Sequence, residues 1–225
     1  EILMLKHLRH ENIMPISGYV LAIPPVHYIT EFMHYGNLRQ YLCNNRRSMW
    51  PAQHLLGIAS DILQALIFLE SRSIVHRNIR ARKVLLGQSG NRMAIKLTGF
   101  ELAREVEQNS SFYHFDMYRE LPLRWLAVES LAYCRYSVKS DIWMYAVLLY
   151  EIFTMGCVPW QEFAARPFDE VLLFLEGSHF LPKPPNCPDW MYTVMKKCWA
   201  YQLLERPAIQ DVIEVLNHRY TPIFY

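Results

Sequence analysis

Between His76 and Glu101 the chain collects the side chains best suited to chemistry: His76-Arg77-Asn78, the basic run Arg80, Arg82 and Lys83, and then Gly99-Phe100-Glu101. Moving a charged group needs a proton acceptor, oxygen ligands if a hard cation takes part, and cancellation of anionic charge. Asn78 presents a neutral amide, which cannot act as a general base at physiological pH. Lys83 brings a positive charge and no lone pair, so it repels a divalent cation instead of binding one. Gly99 has no side chain at all. Glu101 does carry a carboxylate, and hard cations accept any well-placed oxygen. The five cysteines, Cys43, Cys134, Cys157, Cys187 and Cys198, are scattered and never fall at metal-ligand spacing, so they read as reduced thiols of a cytosolic protein.

The elements that must position these residues follow from periodicity. Residues 1–8 place apolar groups at helical spacing, as at the end of an amphipathic helix. Ile13–Leu21 and Val26–Thr30 are β-rich and separated by Pro24-Pro25, which predicts a hairpin. Helices are expected at Leu38–Cys43 and, just after Pro51, at Ala52–Ser71. Val84–Leu86 and Ala94–Leu97 predict a second hairpin with a Gly87–Gly90 turn. Further helices are expected at 138–154, 168–176, 188–199 and 207–217, with Pro182–Pro188 as a connector.

The bulk numbers bound the partners. A chain of 225 residues, half apolar and one fifth charged, can bury one sizeable core. Lys plus Arg number 23 against 21 Asp plus Glu, a balance that does not point to nucleic acid or an anionic membrane as the main partner. The apolar run Ile142–Phe153 falls short of the ~18–20 residues that cross a bilayer and contains Glu151, so a buried core helix is expected there and no membrane contact within this segment. No basic-then-apolar secretory signal opens the chain. It starts inside a helical pattern and reads as a piece of something longer, with any membrane anchor upstream.

His76-Arg-Asn-Ile-Arg-Ala-Arg-Lys-Val-Leu-Leu86 resembles the catalytic loop of protein tyrosine kinases, and Lys96-Leu-Thr-Gly-Phe-Glu-Leu-Ala-Arg104 resembles their metal-binding segment. Leu121-Pro-Leu-Arg-Trp-Leu-Ala-Val-Glu129 is similar to the family's substrate-docking and Ala-Pro-Glu stretch, Ser140-Asp-Ile-Trp143 to the start of its central helix, and Tyr28-Ile-Thr-Glu-Phe-Met33 to its hinge. The resemblance covers essentially the whole chain. It implies an α+β, protein-kinase-like fold, with a mainly helical C-lobe and a remnant of the N-lobe sheet. The domain would span 1–218, with the N-lobe remnant and hinge at 1–33, the C-lobe at 34–218 and a tail at 219–225. It would lack the glycine-rich loop and the strand lysine that hold nucleotide phosphates.

The resemblance also assigns roles. Asn78 stands where the family keeps its proton-accepting Asp, and Lys83 and Gly99 stand where it keeps its two metal ligands. Glu101 is out of register by two residues for replacing the Gly99 ligand. Glu1 matches the helix glutamate of active members. Thr30, Glu31 and Met33 match the gatekeeper and hinge, and Leu85 the floor of the adenine pocket, a degenerate nucleotide site. Leu5, Ile16, His76 and Phe100 fall on the family's regulatory spine, with Asp141 beneath. Arg77 matches an arginine that pairs with activation-loop phosphate, which makes Tyr113 and Tyr118, on the expected loop 105–120, candidate phosphorylation sites. Glu129 and Arg206 match a structural ion pair.

These assignments imply a receptor-tyrosine-kinase-like pseudokinase that works in signalling through other proteins, an active kinase or a signalling adaptor, with the helical surface after residue 155 as a docking face. No cofactor would be required; ATP would bind weakly and magnesium would not. The expected location is cytoplasmic, as the intracellular part of a single-pass membrane protein in the receptor-like case. The alternative from the enzyme class is a tyrosine kinase with residual ATP-dependent activity, and Asn78, Lys83 and Gly99 are the residues that discriminate.

Overall fold

The apolar and β-rich segments of the sequence sort, in a computed structural model, into small sheets beside a helical body. Residues 6–20, 27–48, 50–90, 92–106, 113–114, 121–161, 168–177 and 179–219 are described; at 113, 114, 168, 169, 171 and 176 this applies to the backbone alone. Glu1, Leu5 and Tyr118 lie outside them. In chain order the elements are Ile16–Val20 (β1), His27–Thr30 (β2), Gly36–Asn37 (β3), Leu38–Asn44 (α1), Ala52–Ser71 (α2), Ile74–Val75 (β4), Val84–Ser89 (β5), Arg92–Leu97 (β6), Arg104–Glu105 (β7), Tyr113–His114 (β8), Val128–Tyr133 (α3), Arg135–Tyr136 (β9), Val138–Phe153 (α4), Phe168–Glu176 (α5), Asp189–Cys198 (α6) and Ile209–Arg219 (α7).

β1 and β2 form an open two-stranded sheet with Val20 opposite His27, β3, β5 and β6 form a second sheet, and the pairs β4–β7 and β8–β9 are each antiparallel. Among the described residues this is an α+β arrangement, as the kinase resemblance implies, whose sheet portion is small and does not close into a barrel.

The core is built on two helices. α2 buries Leu55, Ala59, Ile62, Leu66 and Leu69, one stripe at spacings of three and four residues. Each of the larger side chains in it contributes about 1.5–3 kcal/mol by leaving water. α4 is buried on every side from Ile142 to Leu149, which is why its run shows no polar face. The two helices are tied by the Tyr145 hydroxyl, which donates to the Ala59 carbonyl at 2.9 Å. α2, at 20 residues, is also the helix among those described that is long and apolar enough to cross a membrane by length and composition, a point that weighing the α4 run alone overlooks.

One expectation needs correction, and one helix is additional. Gly87 is not a turn residue; it sits within β5 opposite Ala94, and its lack of a side chain makes room for Met33, whose sulfur would lie 2.9 Å from a Cβ there. The turn falls after Ser89, where Gly90 takes φ +57°. The six-residue helix α3 follows the Leu121–Ala127 stretch and was not expected, because so short a segment carries too few turns to show a period.

Candidate functional site

Two buried carboxylates on α4 set the position of the loop that follows β4. Asp141, in the first turn, accepts the backbone N–H of His76 at 2.7 Å and of Arg77 at 2.9 Å. Glu151, near the last turn, accepts the Ala81 N–H at 2.8 Å and the Trp125 indole N–H at 2.9 Å. Ten residues apart on one helix, their Cα atoms lie about 15 Å apart along its axis, and their side chains reach the two ends of the segment 76–81. The loop is thereby fixed at both ends by a helix that cannot move without opening the core.

Within that frame His76 is fully buried and stacks edge-on to Phe100 with ring centres 4.7 Å apart. Its Nδ1 accepts the Asn78 N–H at 3.2 Å, which places the proton of the neutral ring on Nε2. Burial lowers its pKa to about 4, against the opposing pull of the Glu101 charge. Between the ordinary histidine value and that depressed one, the unfolded chain binds a proton that the folded chain refuses. Stability from this ring is therefore complete above about pH 6.5 and is lost as pH falls towards 4. Asp61, Asp141 and Glu151 act oppositely: burial pushes them up to about 6, 7 and 7, so what they add is largest at low pH and falls away as pH rises through those values. Bulk melting mixes these contributions, so the check is residue-specific. In labelled-histidine NMR the His76 ring is expected to be still neutral at about pH 5.5; half-protonation near the ordinary value would contradict the buried geometry.

The residues singled out for chemistry come together. Glu101 Oε1 accepts from Asn78 Nδ2 at 2.7 Å and from Lys83 Nζ at 2.5 Å, and Asn78 Nδ2 also reaches the Gly99 carbonyl at 3.3 Å. Burial works to raise the Glu101 carboxyl, yet the Lys83 hydrogen bond and charge outweigh it and hold it below its usual range. Gly99 takes the left-handed conformation, φ 85° and ψ 45°. A Cβ there would lie 2.4 Å from Lys83 Cδ and 3.0 Å from its Cγ and Cε. The aliphatic stem of Lys83 thus fills the volume that a side chain at position 99 would need. The carboxylate oxygen nearest the cluster is already shared by two donors, and among the described residues no three His, Cys, Asp or Glu side chains gather as cation ligands do.

Of the residues matched to the nucleotide site, Met33 is buried against Gly87, Leu85 is half-buried on β5, and Thr30 is exposed with its hydroxyl on the Glu31 carbonyl at 3.2 Å. Glu31 pairs with Lys96 of β6 at 3.0 Å, which ties the segment after β2 to the three-stranded sheet. Ile16 is half-buried against the core. Arg77 is wholly buried, with φ 66° and its guanidinium 4.2 Å from the centre of the Tyr136 ring. Tyr136 on β9 is opposite Tyr113 on β8 in the strand register, so the backbone of one candidate phosphorylation site pairs with that of the residue whose ring covers Arg77. Glu129 and Arg206 form a buried two-point pair at 2.7 and 2.8 Å.

A family profile described as protein tyrosine and serine/threonine kinase matches residues 1–216. The chain belongs to that family. It is 34% identical to Tyrosine-protein kinase Abl of Drosophila melanogaster over 98% of this chain, 32% identical to Tyrosine-protein kinase FRK of Homo sapiens over 94%, and 35% identical to Tyrosine-protein kinase Srms of Mus musculus over 96%. The chain spans 13%, 41% and 42% of those proteins respectively, so it corresponds to one part of each.

Within this kinase-family domain, sequence reasoning missed the roles of Glu151 and Tyr136. A signal for Glu151 existed: a lone carboxylate in an otherwise apolar stretch of a core helix needs buried donors, and here they are Ala81 and Trp125. Tyr136 gave no such signal, because its partner Arg77 is far away in sequence.

Proposed function

We propose that this domain is a receptor-tyrosine-kinase-like pseudokinase that acts in signalling by binding other proteins and does not transfer phosphate. One observation carries the reading: Lys83 and Asn78 both donate to the Glu101 carboxylate, with the Lys83 stem lying against Gly99. Phosphoryl transfer depends on metal ions and positioned donors more than on covalent help from the protein. An amide, an ammonium and a glycine do not fit two divalent cations, and the carboxylate that might have substituted is engaged. Loss of the proton acceptor alone typically costs ~10²–10⁴ in rate.

No cofactor is required on this reading. ATP would bind weakly, its base against Leu85 and Met33, without magnesium. The partners are proteins, an active kinase or a signalling adaptor, and the helical surface after residue 155, where Leu173 is 67% exposed, offers a place for them. The domain would work on the cytoplasmic side, as the intracellular part of a single-pass protein. Radiolabelled-phosphate transfer to a tyrosine substrate, run beside an active relative, tests the central point. Incorporation is expected to stay at the level of a heat-inactivated control; incorporation that disappears in N78A would favour an enzyme with residual activity instead.

A further inference from the structure

The five cysteines fall into distinct environments. Cys187 and Cys198 are buried, and burial pushes both thiols up to about 12, which leaves them unreactive. Cys134 sits at φ 52° after α3. Cys43 and Cys157 are half-exposed and converge on Gly156. The Cys43 sulfur lies 3.6 Å from the Gly156 carbonyl oxygen. A Cβ at Gly156 would stand 2.8 Å from that sulfur and 2.9 Å from the Arg39 carbonyl, and Gly156 takes φ +83°, so only a glycine lets α1 close this tightly on the loop after α4.

Cys157 is the next residue, and its sulfur receives Arg46 Nη2 at 3.5 Å. Arg46 also donates from Nε to the Met155 carbonyl at 2.8 Å. Because Arg46 follows Cys43 by three residues just beyond α1, this two-point grip ties residues 155 and 157 to the end of α1. That contact puts a hydrogen-bond donor on the Cys157 sulfur.

We propose that Cys43 and Cys157 form a peroxide-responsive dithiol that closes into a disulfide between the end of α1 and the loop after α4. In the first step the Cys157 sulfur attacks hydrogen peroxide: an S–O bond forms, the O–O bond breaks, and hydroxide leaves as water after taking a proton. The Cys43 sulfur then attacks the sulfenic sulfur; the S–S bond forms, the S–O bond breaks, and a second water leaves. The two thiols lose two electrons and the peroxide gains them. Closure needs the two Cβ atoms at about 3.8 Å. The bridge would fasten the segment directly after β3 to the central helix α4, and the inference does not depend on whether the domain transfers phosphate.

The test treats the reduced full chain with hydrogen peroxide, blocks remaining thiols with N-ethylmaleimide, and maps peptides without reduction. The expected result is a linked Cys43–Cys157 peptide within one molecule, reversed by dithiothreitol, with the melting midpoint of the oxidised monomer raised by roughly 5 °C. In C43S the Cys157 sulfenic acid should become trappable by dimedone, and R46M should slow disulfide formation in the otherwise unchanged chain. The proposal fails if both thiols remain alkylated at peroxide doses that oxidise Cys134, or if either pairs with another cysteine or with a second molecule. The linked-peptide map on the unaltered chain decides the matter even where a variant folds poorly.

Discussion

Replacing Arg206 by leucine is expected to cost about 3–5 kcal/mol of stability, the usual result of leaving one partner of a buried ion pair without its counter-charge. The local geometry explains why the effect belongs at that scale. The guanidinium has essentially no exposure, makes the two-point contact with Glu129, donates to the Ala200 carbonyl at 2.8 Å and the Lys139 carbonyl at 3.0 Å, and lies 4.9 Å from the centre of the Trp143 ring. Lys139 in turn donates to the Arg206 carbonyl at 2.6 Å, so the loop before α7 is fastened to α4 from both directions. For a chain of this size such a loss lowers the melting midpoint by roughly 10 °C. Removing both charges together, as in E129L/R206L, should cost less than R206L alone, because no buried carboxylate is then stranded. A double mutant no more stable than R206L would mean that the backbone contacts of Arg206 matter more than its charge.

The second large effect is a coupling between positions 83 and 99. G99D restores the carboxylate that kinases of this family keep there, but its Cβ would overlap the Lys83 stem, and the backbone is held at φ 85°. Left-handed strain and overpacking together predict a loss of about 2–4 kcal/mol. K83N alone should change stability by less than about 1 kcal/mol, since the Lys83–Glu101 pair is partly exposed and solvent screens it. Combined, K83N shortens the stem and lets its amide turn away from position 99, which should recover about 1–3 kcal/mol of what G99D costs. Urea denaturation of the four proteins measures this directly. Additive effects would show that Lys83 does not occupy the side-chain space of position 99. The coupling also bears on the proposed function: if the two departures from the family pattern support each other sterically, reverting either one alone would not be expected to rebuild a metal site.

Much of this was legible in the chain itself. The order and spacing of the two central motifs pointed to the kinase fold, and the α2 and α4 helices were readable because each carries an unbroken helical apolar pattern. The identity of Asn78, Lys83 and Gly99 was enough to question the chemistry. The contact between the Lys83 stem and Gly99 was not legible, because it is made across a folded hairpin and no local pattern encodes it. The same holds for Glu101, out of register by two residues in the sequence, whose carboxylate is shared by Asn78 and Lys83 in the fold. Gly87 misled for a related reason: a glycine required by a tertiary neighbour, Met33, looks in sequence like one required by a turn. The expected loop 105–120 is only partly accessible to comparison, since most of it lies outside the described residues; the Tyr113–Tyr136 register and the stacking of Tyr136 on Arg77 lay beyond any sequence period.

Whether divalent metal and nucleotide can be held together is the question on which the functional reading turns, and thermal denaturation of the full-length protein with ATP, in magnesium and in a chelator, answers it. A ligand present at one hundred times its dissociation constant stabilises by about 2.7 kcal/mol, a rise of roughly 5–10 °C for a domain of this size. The account predicts that any shift caused by ATP is the same in both conditions. A rise of that size that requires magnesium, and disappears in the chelator, would contradict it.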